Sequence, residues 1–441
     1  MARKNRGPIE LDISRVAHDG RGIAEHNGKV VFVHNALKGE KITARVLRSH
    51  RKYLDAVAIE HQQIAPERVA APCDFFGICG GCSLQHLSAR DQIQLKMDLL
   101  KEQLDHADLN VGEFLPPLQL SQTNHYRTKA RLGVRYVEKK GEVLVGFREL
   151  DGRKIAQMDD CVVLHQAISS QIPGLKDLIA KLSVMHKIPQ ITVAMGDAAL
   201  VDLIFRHLEP LSDDDKVLLE AYAKANPVRI YLQPGKDDSC YLFYPKIEKM
   251  HLEYRLEDQN ITMHFQPRDF TQVNLKMNQK MLNQALDCLM LKAEDQVLDL
   301  FCGLGNFSLA MAKKAKQVDG FEACDKMVLQ AGENAKRNGL DNVFFHRADL
   351  YQEAIDFDFK NFPYNKVLLD PPRSGAKEII PALNHNKIEK MVYVSCQLSS
   401  LVRDLKTLVG DYGYRIEKIG LMDMFTHTAH VETMALLVKD S

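Results

Sequence analysis

Cys396, in "MVYVSC", and Asp370, in "VLLDPPRSG", each end an apolar run that reads as a buried parallel strand. In an open parallel sheet both side chains project from the edge where ligands collect, and a thiol there has a nucleophile's address. The two prolines after Asp370 stiffen the neighbouring loop. Glu432, in "FTHTAHVETMALLV", stands beside a last apolar strand and offers a carboxylate base. Sulfur of this kind suits reaction at carbon. Uracil C5 is a weak nucleophile, but thiolate addition at C6 turns the ring into an enolate with charge at C5. That carbon can then take a methyl group, and a base must remove the C5 proton before the thiolate is expelled. Arg373 occupies the place where enzymes that methylate exocyclic amines carry an aromatic platform, so amine methylation is disfavoured.

A cofactor site precedes these residues. "DLFCGLGNFS" follows the strand "QVL" and opens a helix, the position at which a glycine turn, here Gly303 and Gly305, lets backbone approach a ligand. Glu322 ends the next strand, where a carboxylate can accept hydrogen bonds from ribose hydroxyls, and Asp349 ends the one after, in "HRADL". The turn lacks the third glycine of the dinucleotide fingerprint and any lysine for phosphate. A nucleoside without pyrophosphate fits, and S-adenosylmethionine fits better than NAD or ATP.

The elements that must position these groups fall into three parts. Residues 8–60 read as about five short strands with turn glycines, a small OB-like barrel of the kind that binds oligonucleotides. An amphipathic helix follows in "LSARDQIQLKMDLLKEQLDHADL", and "YRTKARLGVRYVEKKGEVLVGFRELDGRKIAQ" reads as a three-stranded meander. Residues 165–260 alternate helix and strand, and from residue 273 strand–loop–helix units indicate a doubly wound α/β domain. The expected division is 1–65, 66–270 and 271–441. Lys plus Arg equals Asp plus Glu at 58 each, but residues 1–60 carry twelve basic against seven acidic residues and residues 121–154 nine against four. Two basic faces that meet phosphate account for that segregation. The N-terminus has no apolar leader and no apolar run reaches the ~20 residues of a membrane span, so the expectation is a cytoplasmic protein without membrane contact.

Nine cysteines in a reducing compartment argue for metal ligation, catalysis or burial, not a disulfide framework. Cys73, Cys79 and Cys82 fall within ten positions in "CDFFGICGGCSLQH", and Cys161 lies just beyond the meander. Four thiolates suit zinc or iron–sulfur, and the spacing matches neither common pattern. Cys240 and Cys288, in apolar settings, read as core residues.

Taken together, "DFTQVN", "FCGLGNF", "LDPPRSG", "YVSC" and "HVET" resemble the RNA uracil-C5 methyltransferase family, and the N-terminal barrel resembles a TRAM domain. With "CDFFGICGGCSLQH" and "DDC" the resemblance spans essentially the whole chain and narrows to the branch that methylates uracil in bacterial 23S ribosomal RNA. It implies a TRAM-like β-barrel, a central α+β domain with an iron–sulfur cluster and a C-terminal Rossmann-like methyltransferase domain. It further implies a [4Fe–4S] cluster held by Cys73, Cys79, Cys82 and Cys161, with Gln272, Phe301, Asn306, Glu322, Asp349 and Asp370 lining the S-adenosylmethionine and base pocket. Cys396 and Glu432 match its nucleophile and base, Phe270 packs beneath the base or in the core, and Cys302 and Cys324 only pack. The partner is 23S ribosomal RNA, whose target base must be turned out of its stack to reach Cys396 while the basic barrel and meander hold phosphates. A monomer is expected. Transfer RNA relatives look like the same catalytic domain without cluster cysteines and barrel, so the first 90 residues argue against a transfer RNA substrate. Methylation of another 23S uracil and a non-catalytic RNA-binding iron–sulfur protein are the remaining alternatives.

Overall fold

The computed structural model describes residues 7–247, 250–352, 357, 359 and 362–439. Arg3, Lys4 and Arg6 of the basic N-terminal stretch lie outside them. Alternating apolar residues give six strands: β1 (Ile9–Asp12), β2 (Arg15–Val16), β3 (Gly22–His26), β4 (Lys29–His34), β5 (Lys41–Ser49) and β6 (Tyr53–Gln63). Their order is β1-β5-β6-β4-β3-β2. Only Ile13 and Ser14 separate β1, which pairs with β5, from β2, which pairs with β3. The two edges of the sheet are therefore halves of one kinked strand, and the sheet closes on itself as a five-stranded barrel would. Val31, Val33, Ile42, Ala44 and Ala56 fill its interior. Glu40, fully buried, ties the barrel to the following linker by accepting from Arg68 Nε at 2.5 Å and Nη2 at 2.8 Å and from Leu37 N–H at 2.7 Å.

Helix α1 (Ala89–Asp105) starts at Ser88, whose hydroxyl accepts from Asp91 N–H at 3.2 Å. Its apolar face, Ile93, Met97, Leu100 and Leu104, packs into the core of the C-terminal sheet. Strand β7 (Val111–Phe114) then joins that sheet as an edge, parallel to a later strand. Residues 89–114 thus pack with the C-terminal part and not within the expected 66–270 block. Helical periodicity shows which face of α1 is apolar but not which sheet covers it.

The central body is a six-stranded sheet of β8 (Lys129–Val137), β9 (Glu142–Gly146), β10 (Gln190–Met195), β11 (Val201–Arg206), β12 (Val228–Gln233) and β13 (Tyr241–Tyr244), ordered β13-β12-β11-β10-β8-β9. Helices α2 (Gln166–Ser169), α3 (Gln171–Lys181) and α4 (Asp213–Ala225) belong to the same body, with Leu175, Leu178, Ile179 and Leu219 in its core. The meander has two strands where three were expected. Its last segment contributes only the bridge between Arg148 and Ile155, because the tight turn at Gly152, with φ of +72°, leaves Glu149 and Lys154 facing each other across a short loop.

The hairpin β14 (Leu252–Leu256) and β15 (Ile261–Phe265) leads to α5 (Leu275–Leu289) and the C-terminal domain. Its elements are β16 (Gln296–Leu300), α6 (Ser308–Ala312), β17 (Gln317–Glu322), α7 (Asp325–Arg337), β18 (Val343–Arg347), β19 (Lys366–Leu369), β20 (Lys390–Ser395), α8 (Leu398–Gly410), β21 (Tyr414–Met422) and β22 (Glu432–Lys439). The sheet runs β18-β17-β16-β19-β20-β22-β21-β7. Strands β16 to β20 are parallel, and β22 inserts antiparallel between β20 and β21. Chain order reverses between β16 and β19, which opens a crevice at their carboxyl ends. Among the described residues no helix is long and apolar enough to cross a membrane.

Candidate active site

The crevice is lined first by the turn after β16. Phe301, Gly303 and Gly305 have φ of +66°, +58° and +86°. A side chain on Gly305 would come within 2.5 Å of Leu309 and 2.9 Å of Phe345, so glycine is required by space as well as by conformation. The expected ribose acceptor Glu322 is half-buried, and its two oxygens accept from Gly303 N–H at 3.3 Å and Cys324 N–H at 2.9 Å. These bonds fix the carboxylate against the glycine turn and leave lone pairs for hydroxyl donors. Phe301 packs against Tyr351 with ring centroids 5.6 Å apart.

Asp299, one turn of strand deeper, was missed. It is fully buried, accepts the Ser308 hydroxyl through Oδ2, and has no protein partner at Oδ1. Burial, with Asp370 and Glu322 adding repulsion, pushes its carboxyl up to about 7. An acid inside the apolar strand "QVLDL" was the available signal.

The other expected cofactor residues are differently placed. Asn306 exchanges amide hydrogen bonds with Asn278 at 2.9 and 3.0 Å and accepts from Tyr254 at 3.0 Å, so its side chain is occupied in bracing the turn to α5 and β14. Asp349 is exposed two residues beyond β18 and caps its own turn, accepting from Tyr351 N–H at 3.1 Å and the Gln352 amide at 3.1 Å. Gln272 is half-buried in a segment held by the central sheet: Thr128 donates its N–H and hydroxyl to Val273 O at 2.9 and 3.0 Å, and Lys129 donates to Asp269 O. Phe270 is 67% exposed, which excludes a core role. Cys324 is likewise exposed and does not pack, whereas Cys302, Cys288 and Cys240 are buried or half-buried.

Cys396 follows directly on β20 and opens into a cleft of about 520 Å³. His18 and Asp19 of the barrel, Gly80 to Ser83 of the cysteine loop, and Thr428 to Val431 share the lining. Burial pushes the Cys396 thiol up to about 11, with Glu432 and Asp370 adding to the rise and the Arg373 guanidinium opposing it. Glu432, buried at the head of β22, is pushed up to about 8 by burial and by Asp370, against the pull of Lys96 and Arg373. Asp370 is pushed up to about 7 by burial. Asp370 and Arg373 thus bear on both the Cys396 thiol and the Glu432 carboxyl, a grouping that strand-end position alone had brought together for Cys396 and Asp370 but not for Arg373.

The segment between β21 and Glu432 is packed from outside the domain. Buried Lys96 of α1 donates to Asp423 at 2.8 Å and Phe425 O at 3.3 Å. The sequence gives no sign of this pairing, because its partners are 327 positions apart.

The cysteine loop adjoins the same cleft. Burial raises all four thiols, Cys79 to about 11 and Cys82 to about 12, and Cys73 and Cys161 feature among the sulfurs that raise them further. What opposes the rise is hydrogen bonding: Gly81 N–H to Cys79 at 3.4 Å, the Gln85 side chain to Cys82, and backbone N–H groups of Phe75, Phe76, Val163 and Leu164 to Cys73 and Cys161. Among the described residues no three His, Cys, Asp or Glu side chains are gathered closely enough to hold a single metal ion.

A profile of the tRNA (Uracil-5-)-methyltransferase family matches residues 88–440, and one of the TRAM domain matches residues 3–59. The 23S rRNA (uracil(1939)-C(5))-methyltransferase RlmD of Alkalilimnicola ehrlichii is 43% identical over 440 residues, covering 100% of this chain and 98% of its own. The protein of the same name from Hahella chejuensis is 44% identical over 439 residues, covering 98% of this chain and 97% of its own. The crystal structure of Pyrococcus abyssi tRNA (uracil-54, C5)-methyltransferase in complex with S-adenosyl-L-homocysteine superposes with a TM-score of 0.73 at 26% identity, covering 98% of this chain and 100% of that one. That full-length likeness corrects the expectation that the first 90 residues argue against a transfer RNA enzyme, since the likeness to one such enzyme covers 98% of this chain. The barrel lies within the span matched by the TRAM profile, the parallel strands, Cys396 and Glu432 lie within residues 88–440, and the chain belongs to the tRNA (Uracil-5-)-methyltransferase family.

Proposed function

We propose that this chain is an S-adenosylmethionine-dependent enzyme that methylates C5 of a uracil in 23S ribosomal RNA, with Cys396 as nucleophile and Glu432 as base. The observation that carries the mechanism is the grouping of Cys396, Glu432, Asp370 and Arg373 at the edge of a cleft walled by the RNA-type barrel. The relatives at 42–44% identity named for 23S rRNA carry the choice of substrate.

At rest the Cys396 thiol is protonated, because burial and two acids oppose its charge. Arg373 is the cation that favours ionisation once a base fills the cleft. The thiol loses its proton to water and adds to C6, moving charge to C5 and O4 of the ring. Bound S-adenosylmethionine supplies an electrophilic methyl on a sulfonium. C5 bonds to that methyl as the methyl–sulfur bond breaks. The Glu432 carboxylate then takes the C5 proton, the C6–sulfur bond breaks, and the C5–C6 double bond returns. The net result is one methyl transferred and one proton released. With its carboxyl raised to about 8, Glu432 is largely protonated at neutral pH; the ionised fraction is the base, and it is a stronger proton acceptor than an ordinary glutamate. Glu322, the Phe301–Gly305 turn and Asp370 are assigned to the cofactor side of the pocket, whereas Asn306 supports it by bracing the turn and Gln272 and Asp349 would have to turn toward it on binding.

Cys73, Cys79, Cys82 and Cys161 fit a [4Fe–4S] cluster. Their sulfurs bear on one another and are met by hydrogen-bond donors with no cation among the described groups that act on them, a set of groups that would suit thiolates ligating iron. A cluster there would pin the cysteine loop, 73–82, to the start of the central core at Cys161.

A second reading, transfer RNA, rests on the full-length likeness to the uracil-54 enzyme. One measurement separates them: 5-methyluridine mapped in ribosomal and transfer RNA from cells with and without this gene. The proposal expects one 23S site to lose its methyl group. Loss confined to transfer RNA would replace it, and no loss in either would end both.

A further inference from the structure

The segment that delivers Glu432 is held by a device centred on His427, which is not itself among the residues lining the cleft, although its partners Ser83 and Ala429 are. His427 has φ of +70°, a conformation that side chains other than glycine adopt only when their surroundings impose it. Its carbonyl accepts two backbone donors from the cysteine loop, Ser83 N–H at 2.9 Å and Leu84 N–H at 3.0 Å. Two residues on, Ala429 N–H donates to the Ser83 hydroxyl at 3.0 Å. The imidazole is clamped as well. Gln92 of α1, fully buried, accepts from His427 N–H at 2.8 Å and places its amide 3.2 Å from His427 Nδ1, while Nε2 lies 2.9 Å from Asn124 Oδ1. The Gln92 amide also donates to Leu87 O, so these partners set a neutral imidazole with its proton on Nε2. Tyr126 donates to Thr426 O at 2.9 Å, closing the segment from the central body.

Three separate parts of the chain thus converge on one residue five positions before the base: the cysteine loop, helix α1 and the loop before β8. A surface connection would need none of these bonds. We propose that His427 is a positioning residue, braced by Ser83, Leu84 and Gln92, which fixes the backbone path of residues 423–431 so that Glu432 meets the C5 proton. The cysteine loop thereby governs the release half of the reaction. This rests on the assignment of Glu432 as base. A brace on that residue acts after methyl transfer, so its loss leaves thiol addition and methylation intact and slows proton removal and expulsion of Cys396.

The test compares His427→Gly, which keeps the left-handed conformation and drops the imidazole bonds, Ser83→Ala, which drops the acceptor for Ala429, and His427→Asn, which tolerates the conformation and keeps a polar side chain. Each is mixed with substrate RNA and S-adenosylmethionine and read on denaturing gels for covalent RNA–protein adduct, alongside kcat, KM for RNA and the melting midpoint. We expect adduct to accumulate in His427→Gly and Ser83→Ala, with kcat down roughly ten- to a hundredfold, KM for RNA within about twofold, and partial recovery in His427→Asn. A fall in kcat without adduct, or a rise in KM that accounts for the loss, overturns the proposal. If His427→Gly does not fold, Ser83→Ala decides. Glu432→Gln is run in parallel: adduct there but not in the brace variants refutes the brace alone, and no adduct there refutes the base assignment itself.

Discussion

Cys396 and the cysteine loop meet at one cleft, where Cys82, Gly80 and Gly81 line the wall opposite Cys396, yet their sulfurs are surrounded by different kinds of group. Burial raises the thiols of both regions, to about 11 at Cys396 and at Cys79. Around Cys396 the remaining influences are charges of both signs, Glu432 and Asp370 against Arg373. Around the loop thiols they are other sulfurs, the carboxylates of Asp74 and Asp160, and hydrogen-bond donors, with no cation among them. A site with its own acid, base and cation can move protons by itself. A site of sulfurs and carboxylates without a cation among its neighbours suits positive charge brought from outside. The direction of a thiol's shift therefore says little about its role, and the identity of its neighbours says much.

Removing the sulfur in each region is the strongest way to break this comparison. Cys396→Ala is expected to cut methyl transfer by about a thousandfold or more, since the thiol that adds to C6 is gone, while RNA affinity and the melting midpoint stay near those of the parent. Filter binding, a methyl-transfer assay and a thermal melt measure the three quantities. An active Cys396→Ala enzyme would dissolve the distinction.

The loop should behave in the opposite sense. Cys79→Ala or Cys161→Ser is expected to lower iron and acid-labile sulfide in anaerobically purified protein and to drop the melting midpoint by several degrees, because ligand binding to a folded site is folding free energy. Protein that carries no iron as purified and melts alike with and without these cysteines would reduce the loop to packing.

What could be read without coordinates follows the same line. Cys396, Asp370 and Glu322 were legible because each ends a strand whose apolar run is local, and an open parallel sheet sends strand ends to one edge. The kinked first barrel strand, the pairing of Lys96 with Asp423 and the clamp on His427 were not, since each depends on contacts between parts of the chain that periodicity treats separately. Helix α1 shows both sides: its apolar face was evident, its destination in the C-terminal core was not. Asn306 and Asp349 teach a further limit, because a motif position says where a residue sits but not whether its polar atoms are already spent on neighbours.

Glu432 sharpens the comparison through stability. Its carboxyl is raised in the folded protein to about 8 from an ordinary value of 4.5, so the folded state binds more protons than the unfolded one between those values. Stability linked to this group is full below about pH 4.5 and is lost as pH rises through about 8. Glu432→Gln removes the loss. The variant should melt a few degrees above the parent at pH 8.5, a gain of about 1–3 kcal/mol after allowance for relaxation, and the gap should close toward pH 5. A gap independent of pH would mean that Glu432 is ionised throughout and is not held among acids.

The smallest effect belongs to the exposed one of the four cysteines that neither region uses. Cys324 is exposed and stands at the N-cap of α7 with φ of −90° and ψ of 111°, and its side chain makes no capping hydrogen bond. Its carbonyl already accepts from Met327 and Val328 at 2.9 and 3.0 Å, so the backbone is in capping geometry and only the side chain is wrong for the task. A thiol is a weak acceptor, whereas a serine hydroxyl at the same position can accept from an N–H of the first turn. Cys324→Ser should therefore raise stability by about 0.5–1 kcal/mol, read as a shift in urea midpoint at constant slope. The same change at Cys82 would cost stability, because there the sulfur is buried among other sulfurs and nothing in its surroundings favours a hydroxyl. Equal responses at the two positions would show that burial and neighbours do not set what a cysteine contributes in this chain.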